Sequence, residues 1–134
     1  ITSTNKGGYS LIMASTASIS IAGTVRGSLT GDKNIGPFNL ASSAANPVIQ
    51  VLVLQAGANT ITPPTLPATS GCIIKLPLTN TSIVTLKGVT GDTGVALGKV
   101  TTQVLNWDST APPTTFVLTS ASTQTGLNTE ISYF

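Results

Sequence analysis

The sequence has few of the residue types on which most protein chemistry depends. Its 134 residues include no His, one Cys, four acidic and six basic side chains. In most catalytic sites these groups are the acids, bases, nucleophiles and metal ligands. The sequence therefore predicts that the protein is not an enzyme and that it binds no cofactor and no metal ion.

Charge is also scarce. Charged side chains make up 7% of the chain, and the formal net charge is +2. Soluble domains usually carry about 25% charged residues, and a charged surface keeps copies apart. Ser and Thr together exceed a quarter of the residues and hydrate a surface without charge. This composition is typical of an extracellular or assembled protein whose surface is partly covered by neighbours.

Nucleic acids and membranes are both disfavoured as partners. The pI is near 8.9, but the basic residues are scattered, and phosphate binding requires a basic patch. They are Lys6, Arg26, Lys33, Lys75, Lys87 and Lys99. A membrane-spanning helix needs about 18 apolar residues. The best apolar run, residues 48–54, has seven residues and contains Gln50.

What the chain does contain is typical of strands. Thr, Ser, Val, Ile and Gly dominate, and eight prolines and 13 glycines punctuate short β-branched segments. The pattern predicts strands at residues 9–13, 18–25, 48–55, 59–62, 72–76, 82–87, 95–97, 101–106, 115–119 and 130–134. We therefore expect an all-β fold, an antiparallel β-sandwich resembling a jelly roll, as a single domain over residues 1–134. The first eight residues are a candidate extended arm.

Two strands stand out by their apolar content. Residues 48–55 are apolar on both faces, which predicts a central, deeply buried strand. In the last strand, Ile131 and Tyr133 share one face and Phe134 takes the other, so we expect a partner on each face. These three residues, together with Trp107, are the candidate interface residues. Trp107 has two interpretations: it caps one end of the core, or it is an exposed anchor for a neighbour or a sugar.

Turn signals separate the strands. Residues 55–59 predict a hairpin containing a residue at positive φ, and residues 30–33 and 90–94 have turn composition. Residues 39–46, rich in Ala and Ser, are a candidate single helical turn. Cys72 lies in an apolar run and is expected to be buried.

Several sequence patterns could form a binding or catalytic site, but an ordinary role in a strand or turn is favoured for most of them. Residues 94–99 resemble a phosphate loop but have three residues between the glycines, and Val100 follows the Lys, so a short strand is favoured. Residues 80–82 form a glycosylation sequon, which matters only in a eukaryotic secretory route. The carboxylates are candidate calcium ligands or a glycosidase pair, but turn roles are favoured. They are Asp32, Asp92, Asp108 and Glu130.

The middle of the chain resembles small virion proteins of tailed bacteriophages. The resemblance lies in Leu54-Gln-Ala-Gly-Ala-Asn-Thr-Ile61, Ile73-Ile-Lys-Leu-Pro77, Asn80 and Thr85-Leu-Lys-Gly-Val-Thr-Gly-Asp-Thr-Gly-Val95, within residues 48–120. It implies a non-enzymatic β-structure that decorates a capsid or builds a tail, baseplate or fibre. It implies no catalytic residues.

The leading hypothesis is a capsid decoration subunit on the virion exterior. Its partners would be copies of itself, with a trimer as one candidate assembly, and the major capsid protein or another virion protein. One alternative is a tail, baseplate or fibre component that binds a host receptor or glycan through loops near Trp107 or residues 62–67. Further alternatives are a bacterial surface or pilus subunit completed by a donated strand, and a small hydrolase.

Overall fold

The all-β prediction is confirmed. The computed structural model describes residues 17–26, 31–42, 48–65 and 69–134, and within these ranges it contains ten strands and no helix. All strand pairs are antiparallel. The chain divides into two compact units, Ile1–Asn46 (unit 1) and Pro47–Phe134 (unit 2). The single-domain organisation stays a prediction.

Unit 1 contains one two-stranded sheet. Strands β1 (Ala17–Val25) and β2 (Lys33–Ser42) pair along their length, with a shift in register between Ile21 and Gly23. Gly31 has φ of 77° in the connection between them. The predicted helical turn is wrong over residues 39–42, which belong to β2, and residues 43–46 lie outside the described ranges. Strand β2 was not predicted, because its Gly36-Pro37 pair is typical of a strand break.

Unit 2 contains eight strands in two sheets. They are β3 (Val48–Leu52), β4 (Gly57–Ile61), β5 (Gly71–Lys75), β6 (Val84–Lys87), β7 (Val95–Ala96), β8 (Thr102–Asn106), β9 (Phe116–Ser120) and β10 (Thr129–Tyr133). The first sheet has the order β3-β10-β5-β8 and the second β4-β9-β6-β7. Nine predicted strands have counterparts among the ten, and the predicted strand at residues 9–13 lies outside the described ranges.

The strand pairs of unit 2 are nested. The first strand of the unit, β3, pairs with the last, β10. The second pairs with the second last, and so on, which gives the pairs β4–β9, β5–β8 and β6–β7. Only the β6–β7 connection joins two strands of one sheet, and every other connection passes between the sheets. The predicted hairpin at residues 55–59 is therefore wrong, since it links β3 to a strand of the other sheet. Its positive φ is confirmed at Gly57, at 95°.

One hydrophobic core is shared by the two sheets of unit 2. It forms because alternate side chains of each strand point to the same face. Ile74 and Ile131 come from the first sheet, and Val84 and Leu118 come from the second. The other buried members of the core are Leu54, Ile61, Cys72, Leu76, Phe116 and Tyr133.

Strand β3 differs from its prediction. Instead of being central, it is an edge strand among the described strands, and Ile49 and Val51 are 62% and 56% exposed. The polar residue between them, Gln50, is half-buried and accepts a 2.7 Å hydrogen bond from Tyr133 Oη. The interior-facing polar group is thus paired, while the apolar side chains on either side of it face outward.

Candidate functional site

Unit 2 carries an open groove of about 390 Å³. We call it the Trp107 groove. Its walls are mostly apolar, and its charged lining residues are Lys87 and Asp92. The apolar side chains that line it are Leu86, Val95, Leu105, Trp107, Pro113 and Phe116. Since Leu105 belongs to the first sheet and Leu86 and Phe116 belong to the second, the groove depends on the tertiary fold and has no local sequence motif.

One wall of the groove is built by the turn between β6 and β7. The carboxylate of Asp92 accepts a hydrogen bond from the Val89 backbone N–H at 2.9 Å, and the Asp92 N–H donates to the Val89 carbonyl at 3.1 Å. Gly94 follows with φ of 73°. A Cβ there would lie 2.5 Å from the Leu86 carbonyl oxygen, so only glycine fits. The predicted turn at residues 90–94 is confirmed.

Trp107 lines the groove and also contacts the core. Its half-buried side chain packs against the core cluster. The indole Nε1–H donates to the Thr69 carbonyl at 2.9 Å, and the Trp107 backbone N–H donates to the Ser70 carbonyl at 2.8 Å. Because the indole N–H is already paired, Trp107 offers a ligand apolar ring atoms and no hydrogen-bond donor.

The three candidate residues at the C-terminus lie elsewhere. Ile131 and Tyr133 are buried in the shared core, and Phe134 is buried beside Gly71. The Phe134 backbone N–H donates to the Gly71 carbonyl at 3.1 Å, and the Phe134 carbonyl accepts from Ser70 N–H at 2.6 Å. The apolar character of this strand is therefore satisfied within unit 2, and none of the three lines the groove.

A buried polar cluster escaped prediction. Asn80 is 3% exposed, and its amide donates to the carbonyls of Ser82 at 3.0 Å and Lys99 at 2.7 Å. Its Oδ1 accepts from Ser82 N–H and from Gln124 Nε2, each at 3.0 Å. The sequence analysis had singled out Asn80 only in the sequon and in the resemblance to virion proteins. The sequon asparagine is inaccessible in the folded protein because it is buried, and both of its amide hydrogens are engaged.

The described acidic residues occupy separate structural positions. Asp32 lies 3.8 Å from the Arg26 guanidinium on the surface of unit 1. Asp108 accepts hydrogen bonds from the Thr110 hydroxyl at 2.7 Å and from its N–H at 2.8 Å, which lower the pKa of Asp108. Glu130 is exposed on β10. Within the described ranges, His, Cys, Asp and Glu form no group of three or more that could hold a metal ion.

Cys72 is buried, as expected, in the core of unit 2. Burial raises the pKa of its thiol to about 12. A thiolate is the nucleophilic form of cysteine, so the folded protein keeps this group protonated and unreactive at neutral pH.

Comparisons with known proteins identify no relative. No family model matches the chain, and neither the curated proteins nor the solved structures contain a significant match. Across the parts of the chain that the structure describes, no helix is long and apolar enough to cross a membrane.

Proposed function

We propose that this chain is a non-enzymatic structural subunit of a bacteriophage virion and that its unit 2 is a β-sandwich of the jelly-roll type. The observation that carries the proposal is the nested strand pairing of unit 2, in which β3 lies beside β10 and β4 beside β9. A jelly roll has this plan: eight strands form two sheets, and viral capsid and lectin domains use it. Of these two uses, the resemblance of residues 48–120 to small phage virion proteins supports the viral one.

The subunit would act by apolar and strand-edge contacts on the virion exterior, as a capsid decoration protein. Ile49 and Val51 project from an edge strand. Edge strands bind partners through backbone hydrogen bonds, which need no charge. Many copies of a weak contact suffice in a lattice, because attachment at several points raises the overall affinity. The partners are copies of the chain and the major capsid protein or another virion protein.

Reconstitution onto particles tests this role. Particles produced without the protein are incubated with the purified chain, and bound copies per capsid protein are measured after sedimentation. We expect saturation at a fixed ratio, with binding weakened in Ile49→Asp. Ile83→Asp is the control, because Ile83 is 53% exposed just before β6, outside the first sheet. Absence of saturable binding would contradict the decoration role.

A second candidate, receptor or glycan binding by a tail or fibre component, is favoured by the Trp107 groove. Aromatic side chains are common contacts for ligands, and Trp107 lines an open groove. A glycan array is the test. Val95→Glu places a charge in the groove at a residue that is 66% exposed, and Val100→Glu, at 49% exposure and outside the groove lining, is the matched control. A silent array with the unsubstituted protein counts against this candidate.

The pilus-subunit alternative has less support. A donated strand fills a gap in an incomplete sheet. In unit 2 the last strand of the chain, β10, lies between β3 and β5 and is supplied by the chain itself. The hydrolase alternative has no assembled acid, base and nucleophile among the described residues to support it.

A further inference from the structure

The face of the first sheet that points away from the core has an ordered pattern, set by the strand register. We call it the outer face. Two rows of side chains cross its strands in the order β3, β10, β5, β8. The first row is Ile49, Ser132, Ile73 and Val104. The second row is Val51, Glu130, Lys75 and Thr102.

Four of the eight side chains on the outer face are apolar, and the face carries one charge of each sign. Ile49 and Val51 are more than half exposed, and Ile73 is half-buried. Lys75 and Glu130 are exposed and directly opposite each other on adjacent strands. No ion pair within 4.0 Å joins these two described residues. Both charges are therefore available to a partner.

We propose that the outer face binds the outer face of a second copy of this chain in a twofold-symmetric dimer. The symmetry axis runs parallel to the strands, midway between β10 and β5. A rotation of 180° about this axis generates the second copy. Each row of the second copy lies over the same row of the first, with its residues in the reverse order. Glu130 then lies over Lys75 of the second copy, and Lys75 lies over Glu130 of the second copy. The same rotation brings Ile49 over the second copy's Val104.

Charge complementarity identifies a second copy as the occupant. Opposite charges at adjacent positions become mutually paired when the face meets itself, so both ion pairs form at once. A partner with one sign of charge would leave either Lys75 or Glu130 against a like charge. A cyclic trimer has no twofold axis and would not place this face against itself.

The dimer is expected to be weak in solution. Stable complexes bury about 800 Å² on each partner, whereas this face spans four short strands at a spacing of about 4.8 Å. Weak contacts of this kind gain strength when copies are held together in an assembly. The inference rests on the proposed assembly function, for which it names the partner and the surface.

Sedimentation of the purified chain over a concentration series reaching the millimolar range tests the dimer. Lys75→Glu and Glu130→Lys each create like-charge contacts and should weaken dimerisation about tenfold or more. Ile49→Asp should also weaken it, and Ile83→Asp should not. Chemical denaturation of each variant shows that the fold is retained. If Ile49→Asp fails to fold, the two charge variants still decide the question.

Mixing the two charge variants separates contacts between copies from effects within one copy. In a mixed dimer, Glu at position 75 faces Lys at position 130, and the native Glu130 and Lys75 face each other. An affinity tag on one variant should therefore retain the other, with an affinity within about threefold of the unsubstituted dimer. A monomer at all concentrations, a trimer, or failure of the mixture to restore binding would overturn the proposal. None of these outcomes depends on a virion, so failure of the dimer and failure of the virion role are distinguishable.

Discussion

Gln124 Nε2 donates a 3.0 Å hydrogen bond to Asn80 Oδ1 in the interior of unit 2. Both side chains are 3% exposed. Asn80 lies between β5 and β6, Gln124 lies between β9 and β10, and the Lys99 carbonyl bound by Asn80 lies between β7 and β8. One asparagine thus ties together three loops that are distant in sequence.

Asn80→Ala should lower the free energy of unfolding by about 3 kcal/mol, because it leaves buried partners of Asn80 without hydrogen bonds. Urea denaturation measures the loss. Asn128→Ala is the control, since Asn128 is exposed in the β9–β10 loop, and its effect should stay within about 0.5 kcal/mol. Equal effects of the two substitutions would remove the structural role assigned to the cluster.

Gly71→Ala should destabilise unit 2 by about 2–3 kcal/mol through overpacking. A Cβ at Gly71 would overlap the Leu105 carbonyl oxygen and lie 2.7 Å from Phe134 Cζ. At Gly91 a Cβ meets no atom within 4 Å, so Gly91→Ala is the matched control and should change stability little. Thermal unfolding of the two variants is compared, and a Gly71→Ala protein as stable as the control would show that Phe134 does not pack there.

Tyr133→Phe should cost about 1–2 kcal/mol, because it removes the 2.7 Å bond to Gln50 Oε1 and leaves that half-buried oxygen unpaired. Replacing both partners by apolar groups is close to neutral in such cases. The double variant Tyr133→Phe/Gln50→Met should therefore recover most of the loss in a urea titration. A double variant that loses the sum of the single effects would rule out a direct bond.

Stability should decline with pH in the alkaline range because of Cys72. Burial raises the pKa of its thiol to about 12 in the folded chain, whereas the unfolded thiol ionises near 9. Between these values the folded state holds one more proton than the unfolded state. The contribution of Cys72 is therefore complete below pH 9 and falls by about 1.4 kcal/mol per pH unit above it.

Urea titrations at pH 8, 9 and 10 measure this decline. Cys72→Ala loses some stability at every pH through the smaller side chain, but its decline above pH 9 should be shallower than that of the unsubstituted chain. Burial and the neighbouring Cys72 also raise the pKa of Tyr133, which adds to the decline in both proteins at higher pH. Parallel pH curves for the two proteins would contradict the assignment to Cys72.

Local sequence patterns predicted the positions of most strands. They did not predict which strands pair, because pairing joins residues that are distant in the sequence. Alternating β-branched residues and Gly or Pro punctuation located nine strands, because these signals act within a few residues. Strand β2 was missed because Gly36-Pro37 interrupts the pattern. The predicted central position of β3 in its sheet was also wrong, because its pairing partner, β10, lies at the other end of the chain. No short-range pattern identifies such a partner.

The candidate site was predictable only in part. Contact of Trp107 with the core was expected from its position at the end of a strand before a Pro-rich connection. The groove beside it did not, because Leu86, Leu105 and Phe116 come from three different strands. Glu130 and Lys75 likewise meet only through the register of β10 and β5. These relationships arise from the nested strand pairing of unit 2 and not from sequence spacing.

Locating the protein in an intact particle tests the proposed function most directly. Cryo-electron microscopy of virions with and without the protein gives a difference map at the resolution of single domains. We expect density for two-sheet domains at repeated sites on the capsid exterior, lost in particles without the protein. Particles that are identical in both preparations, with no copies of the chain found by mass spectrometry, would contradict a structural role in the virion.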